Sequence, residues 1–543
     1  MDMSANHSTS TSVKETFTSI LIAFVLAFVF RGFVIEAFVI PTGSMAPTLR
    51  GQFIRVHSDE TGANWAAGPR DYRGMEPLRL QGAQGRSINL RDPMTMQPVD
   101  PIVNAPLLGG DRIFVLKYLY PLYAPSRFDV VVFKNPNDPT QNYIKRLIGL
   151  PGEQLAMVDG DIFTRAASAS ESTIDFNDTE GRPWTLDGWT IARKSEQAQD
   201  EMWQPVFRSD YAPLNPTRDG RKWNAPWVGG ADWTIEGRQS YEFTGSGPTS
   251  LRWDSRNRPI DDYYSYNEAH ESIMGGPRVR FPVGDVRVSF GVKAANMTTF
   301  APGFLIKTRG HEFRARLIPS EKSAEFAMRA DGVNEWTVIG RVDGLPPASS
   351  DAIHNFEFIH VDQELRIIRD GVTLARATYE WNPAQRLLAS TGIEVAELVK
   401  DKNSNTLLAN PSNYRSTEVS IEFDGGAFSL YRVGLDRDIF YRPDIYRSGN
   451  EGRTHTRYDT PSAGSHPFST LVLSDAEYFF CGDNSPASLD GRLWDVPSPY
   501  VMPLDPKIGV VHRDMIIGRA FFVYFPAMER KFVPNFGMMR WIR

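Results

Sequence analysis

Apolar residues follow three rhythms along this chain. Residues 16–30, TFTSILIAFVLAFVF, carry no charge, and after Arg31 the chain stays apolar through Phe33, Val34 and Ile35. A helix needs about 20 apolar residues to cross a bilayer core. The window 16–35 reaches that length with Arg31 snorkelling to the interface. The preceding MDMSANHSTSTSVKE sets one Lys against Asp2 and Glu15, and the following RGFVIEAFVIP holds no Ala-x-Ala exit. The pattern therefore predicts an uncleaved anchor over 16–36 behind a polar tail, 1–15, rather than a removable leader. Lys14 and Arg31 balance each other across the span, so flanking charge leaves its orientation open.

The second rhythm is that of short strands closed by Pro and Gly. Residues from 38 onward open strand-like, break at Pro41-Thr42-Gly43 and resume over 52–56. Residues 60–109 are polar and rich in Gly, Pro, Arg and Asn, and read as a surface excursion. RIFVLKYLY, FDVVVFKNP and NYIKRLIGL follow as strands. The third rhythm alternates with period two: FPVGDVRVSFGVKA at 281–294, FEFIHV at 356–361, and LRIIR at 365–369 before Asp370-Gly371. VSIEF at 419–423 also ends at Asp-Gly, with another apolar run from Phe428. Alternation with hairpin turns at this spacing predicts an antiparallel sandwich. The chain is thus expected to be mainly β. A core over 37–165 (with the 60–109 excursion) and 441–527 is interrupted by an irregular β-rich stretch, 166–280, and a sandwich, 281–440; a tail, 528–543, closes it. No internal repeat is apparent.

Composition narrows the function classes. At 543 residues, with 41% apolar and 23% charged residues, the chain is of ordinary globular type and long enough for two or three cores. A formal net charge of -6 gives no basic footprint for nucleic acid. The lone cysteine, Cys481, excludes an intrachain disulfide and any Cys-based zinc or iron–sulfur site, and no cofactor or metal is expected.

Candidate chemistry lies in four separated strings: PTGSMAPTL from Pro41, GDRIFVLKY from Gly110, YIKRLIGLPGE from Tyr143 and GDNSPASLDGRLW from Gly482. A serine hydroxyl becomes a nucleophile when a nearby base takes its proton. Ser44 sits at a bend just outside the anchor, and none of the nine histidines falls inside the strings. Lys145 is the candidate base, because burial disfavours an ammonium and frees the amine to accept a proton. Strand alternation is expected to turn one of Lys145 and Arg146 inward and the other outward. The backbone N–H of Ser44 and the hydroxyl of Thr42 are candidate donors to a substrate oxyanion.

Taken in order, the four strings resemble the signature boxes of bacterial type I signal peptidases, which use Ser and Lys without His. The resemblance implies a membrane-bound endopeptidase that cleaves signal peptides from secretory preproteins after small residues at -1 and -3. It places the enzyme in the cell membrane as a single-pass protein with its catalytic domain outside the cytoplasm. It further implies that Ser488 hydrogen-bonds the Lys145 amine, and that Asp490 pairs with Arg492 or Arg146 to hold the loop. Where the family commonly has Arg, Ser and Gly, this chain has Ser485, Gly491 and Asp495. Residues 356–377 are similar in strand rhythm to concanavalin-like and laminin-G-like jelly rolls, which often bind glycans; a spacer role stands beside that reading. The competing reading of the whole is a membrane-anchored glycan-binding or scaffold protein with a relict peptidase core. A third, a Ser–Lys protease that cuts itself, is opposed by the apolar anchor and the lack of a DNA-binding helix pair.

Overall fold

The computed structural model describes residues 5–68, 90–100, 107–167, 182–218, 221–235, 238, 240–269, 280–400, 404–446, 460–527 and 536–542. The expected excursion at 60–109 and the tail at 528–543 lie partly outside them. As the strand rhythms predict, the chain is mainly β. An α-helix spans Ala5–Val29 and runs into a π-helical turn, Phe30–Val34. It begins well inside the expected polar tail. Its segment Val13–Val34 is long and apolar enough to cross a membrane, by length and composition.

Directly after this turn the chain enters an eight-stranded sheet. Its order is Ile35–Val39, Arg112–Leu116, Ile516–Phe525, Val130–Asn135, Asp138–Gly149, Glu477–Cys481 and Val511–His512, with Arg540–Trp541 added beside Ile516–Phe525. Strands from three distant stretches of chain therefore share one antiparallel sheet. Both faces are covered, which explains the unbroken apolar run VVVF. Val131, Phe133, Leu147, Phe480 and Trp494 pack on one face, and Val130, Val132, Ile113 and Val523 join Ile40, Met45 and Leu49 on the other.

The inserted stretch forms a second body of two large sheets whose inner faces share one core. Phe304 and Phe358, from opposite sheets, stack at 6.2 Å, and Phe290 meets Phe423 edge-on at 5.6 Å. The Asp370-Gly371 hairpin forms as expected, both residues adopting positive φ (52° and 77°). The second Asp-Gly does not close a hairpin: Glu418–Asp424 lies in one sheet and Phe428–Arg437 in the other. Gly425, at φ 143°, carries the chain across, and Phe423 and Phe428 meet in the core at 4.8 Å. The sandwich also extends across the expected 280/281 boundary. Tyr241–Phe243 pairs with Phe428–Arg437, and Thr249–Trp253 pairs with Glu418–Asp424. Strands this short show too little alternation to be separated from loop.

A buried ionic cluster joins the two bodies. Asp159 and Asp161, at the turn after Glu153–Val158, meet Arg309 and Asp285 of the sandwich and Arg386 of the helix Pro383–Thr391. Arg309 reaches Asp159 and Asp285 at 2.6 Å each, and Lys194 bridges Asp362 (2.5 Å) and Asp438 (2.9 Å). One oxygen from each of Asp161, Asp285, Asp362 and Asp438 falls within 4.8 Å of the others, with these cations as their countercharges. Removing one partner strands buried carboxylates, a loss of about 3–5 kcal/mol. Arg309→Ala is therefore expected to destabilise the folded chain by about that amount, measured by denaturant unfolding.

Candidate active site

The turn bearing Ser44 is held by its own apolar residues and by two glycines. Met45, Ala46 and Leu49 are fully buried, and Ser44, between Gly43 and Met45, is 6% exposed. Ala46 N–H donates to the Gly43 carbonyl and Leu49 N–H to that of Met45. The following chain folds back so closely that a Cβ on Gly51 would lie 2.1 Å from the Thr42 carbonyl carbon. A Cβ on Gly110 would lie 2.1 Å from the Ile40 oxygen. Beside Gly110, the buried Asp111 carboxylate accepts the N–H groups of Arg50 (2.8 Å) and Ala527 (2.7 Å). The GDR string thus braces the Ser44 turn from behind. Thr42 is half-buried two residues before Ser44.

Lys145 lies on Asp138–Gly149, in register with Val131. Its Nζ is 2.5 Å from Ser44 Oγ, the side chain is buried, and the Tyr143 ring centroid is 5.3 Å away. Burial lowers its pKa from the ordinary 10.5 to about 8, against the pull of Asp490 and Asp483, which favour the ammonium. The expectation that one of Lys145 and Arg146 faces outward fails. Alternation sends them to opposite faces, but both are buried because both faces are covered. Arg146 donates to both Asp483 oxygens (2.8 and 2.6 Å) and to the Phe128 carbonyl (2.8 Å).

The loop from Gly482 closes over this pair. Asp490 and Arg492 pair through two bonds of 2.9 and 2.8 Å, the first of the two expected alternatives, while Arg146 takes Asp483 instead. Burial opposes ionisation of Asp490. The Arg492 guanidinium, the Gly482 N–H and the Ser488 hydroxyl nevertheless hold its carboxyl below the usual range. The implied Ser488–Lys145 hydrogen bond is not formed. Ser488 Oγ is buried without a partner in good geometry, and it acts on Asp490. A Cβ on Gly482 would lie 2.2 Å from Ser488 Oγ and 2.5 Å from the Ser44 carbonyl oxygen, so only glycine fits there.

The departures at Ser485 and Gly491 have local reasons. Ser485 Oγ accepts from Arg492 (2.6 Å) and from the Arg442 N–H (2.8 Å), and a Cβ on Gly491 would lie 2.6 Å from the Gly509 oxygen. Residues the sequence reading passed over complete the site. Asp483 and Asn484 stand in the Gly482 string with no role assigned from sequence, yet Asp483 neutralises Arg146. Asn484 donates its N–H to the Ser44 carbonyl (3.1 Å) and its amide to that of Gly43 (3.0 Å). Their place beside Gly482 within one of the four strings was the available signal.

A family model for signal peptidases, peptidase S26, matches residues 13–66, 103–219 and 435–525, segments that hold Ser44, Lys145 and the Gly482 loop. Signal peptidase I of Rickettsia typhi is 31% identical over 159 residues, covering 29% of this chain and 46% of that protein. Signal peptidase I of Buchnera aphidicola is 26% identical over 172 residues, covering 32% and 39%. The chain thus spans less than half the length of these curated relatives. Among solved structures, a carbohydrate binding module from Bacillus subtilis is 10% identical with a TM-score of 0.22, covering 39% of this chain and 95% of the module. A Caenorhabditis elegans galectin is 13% identical with a TM-score of 0.18, covering 38% and 98%. At those scores the likeness assigns the sandwich neither a fold family nor a ligand. The three segments that carry Ser44, Lys145 and the Gly482 loop thus match the signal peptidase family, peptidase S26.

Proposed function

We propose that this chain is a membrane-tethered serine endopeptidase that removes signal peptides from exported preproteins, with Ser44 as nucleophile and Lys145 as general base. The observation that carries this reading is the 2.5 Å approach of Lys145 Nζ to Ser44 Oγ, with both groups buried. The neutral amine takes the hydroxyl proton as Ser44 Oγ attacks the scissile carbonyl carbon. The N–H of Ser44 and the hydroxyl of Thr42 donate to the oxygen as it gains charge. Collapse of the tetrahedral centre breaks the C–N bond, and the departing amine takes the proton back from Lys145. A water, deprotonated by the same amine, then attacks the ester and frees Ser44.

The substrate strand has an edge to join. Ile35–Val39 is terminal in its sheet, so one row of its backbone groups is unpaired among the described residues. Phe38, Ile40 and Ile144 are buried or half-buried beside the Ser44 turn and suit small side chains at -1 and -3. Ser44 lies ten residues beyond Val34, within about 36 Å of the proposed membrane span by contour length. In this reading the anchor sits in the cell membrane with the catalytic part outside the cytoplasm. Tethering then raises the effective concentration of a cleavage site emerging at the bilayer surface.

Ser44→Ala and Lys145→Ala are each expected to fold and to lower cleavage of a test preprotein by at least about 10³-fold. Retained turnover in either variant refutes the role of the residue replaced. Because Lys145 must be neutral to act, kcat/KM of the wild type should rise with pH through about 8. The same group carries a stability signature. Its folded pKa lies below its unfolded value, so the unfolded chain binds the extra proton between about 8 and 10.5, and stability rises with pH across that window. Lys145→Met should therefore raise the unfolding midpoint at neutral pH, with the gain fading as pH approaches 10.5. Gly482→Ala, which drives a methyl into the Ser44 carbonyl, should lower kcat by more than about tenfold.

A further inference from the structure

A short turn in the inserted stretch reaches the site from outside every segment matched by the peptidase family. Residues 264–267 close on themselves, with the Asn267 N–H donating to the Tyr264 carbonyl at 3.0 Å. The buried amides of Asn267 and Asn484 bond reciprocally: Asn267 Nδ2 donates to Asn484 Oδ1 (2.8 Å), and Asn484 Nδ2 donates back to Asn267 Oδ1 (2.9 Å). Asn484 spends its other amide proton on the Gly43 carbonyl and its backbone N–H on the Ser44 carbonyl. Asn267 thereby satisfies the rest of the Asn484 amide and holds it in place, while the Gly43 carbonyl fixes its sense. Turned over, that amide would set oxygen against the Gly43 oxygen, and the support under Ser44 would become a repulsion.

The same turn braces the other half of the pair. Tyr264 Oη donates to the Asp483 carbonyl (2.8 Å), and the Asp483 side chain holds Arg146, the neighbour of Lys145. The Tyr264 ring is in turn pinned by Arg437, the last residue of Phe428–Arg437, whose guanidinium lies 4.3 Å over it. Arg437 also donates to the Tyr263 carbonyl at 2.8 Å. A continuous set of contacts thus runs from the end of a sandwich strand to the loop that holds Ser44 and Lys145 together.

Building on the Ser44–Lys145 reading, we propose that Asn267, assisted by Tyr264, is a positioning residue through which the insertion sets the geometry of the catalytic pair. The insertion is then a working part of the active centre rather than a passenger. Its contribution falls on the chemical step, because the turn touches the loops behind the two reacting groups. A nucleophile displaced by a fraction of an ångström loses rate, not affinity.

The test uses the full chain in lipid vesicles with a test preprotein, comparing Asn267→Ala, Asn484→Ala, their double variant and Tyr264→Phe. Asn267→Ala is expected to lower kcat about tenfold with KM unchanged. The double variant should be no slower than Asn484→Ala alone, because Asn267 acts through Asn484. Tyr264→Phe keeps the ring under Arg437 and loses only the hydroxyl, so it decides the matter should Asn267→Ala fail to fold; about a threefold fall in kcat is expected. Wild-type kcat in both single variants of the turn, a loss confined to KM, or additive losses in the double variant would overturn the proposal. A wild-type chain that cleaves no preprotein, or a Ser44→Ala variant as active as wild type, would overturn instead the function on which it rests.

Discussion

A lysine amine serves as a base near neutral pH only where water is kept from it and no unpaired carboxylate draws a proton back. In this structure Lys145 is buried and the two carboxylates nearest it are paired. Two aspartates, Asp483 and Asp490, lie near enough to Lys145 to favour its charged form. Each is engaged by a guanidinium, Asp483 by Arg146 and Asp490 by Arg492, so their fields are largely cancelled. Desolvation is left as the dominant influence, and the amine falls to about 8. The buried ion pairs at this site are better understood as charge control than as sources of stability, since their desolvation offsets most of their attraction.

Close backbone contact supplies the precision that charge cannot. Gly51, Gly110 and Gly482 each occupy a place where a methyl group would overlap the Ser44 turn or its supports. Asp111 ties that turn to the chain near residue 527, and Asn484 ties it to the Gly482 loop. Four strings spread between residues 41 and 494 are thereby reduced to one small volume. A sheet with both faces covered provides the rigid floor beneath them.

The insertion is joined to this centre by two polar seams of different character. The Asp159–Arg309–Asp285 cluster is an ionic joint, strongly directional and costly to disturb. The turn at 264–267 is a neutral hydrogen-bonded joint that meets Asp483 and Asn484 of the Gly482 loop. Apolar contacts accompany them: Ala156, Val158 and Phe163 cluster with Leu387, Val395 and Leu398 of the insertion, and Ala46 and Phe53 with Tyr266. Strands on both sides of the expected 280/281 boundary belong to one body because they pair within the same two sheets. Tyr241–Phe243 and Thr249–Trp253 complete the sheets that carry Asp285, Arg309 and Arg437.

The order of the four strings and their family resemblance made Ser44 and Lys145 a candidate pair, and folding brings the two side chains within 2.5 Å. Apolar length marked the N-terminal helix, and alternation marked the long strands of the sandwich, since both are properties of contiguous residues. Three-dimensional assembly decided the rest. Whether Arg146 faced water, whether Ser488 met the amine, and whether the second Asp-Gly closed a hairpin or crossed between sheets all depended on what covered each surface. Asn267 and Tyr264 carry no motif, and only folding brought them beneath residues 43 and 484. Nearest neighbours along the chain dictate conformation and reactivity in kind, but dryness, charge pairing and exact approach are set by groups remote in sequence.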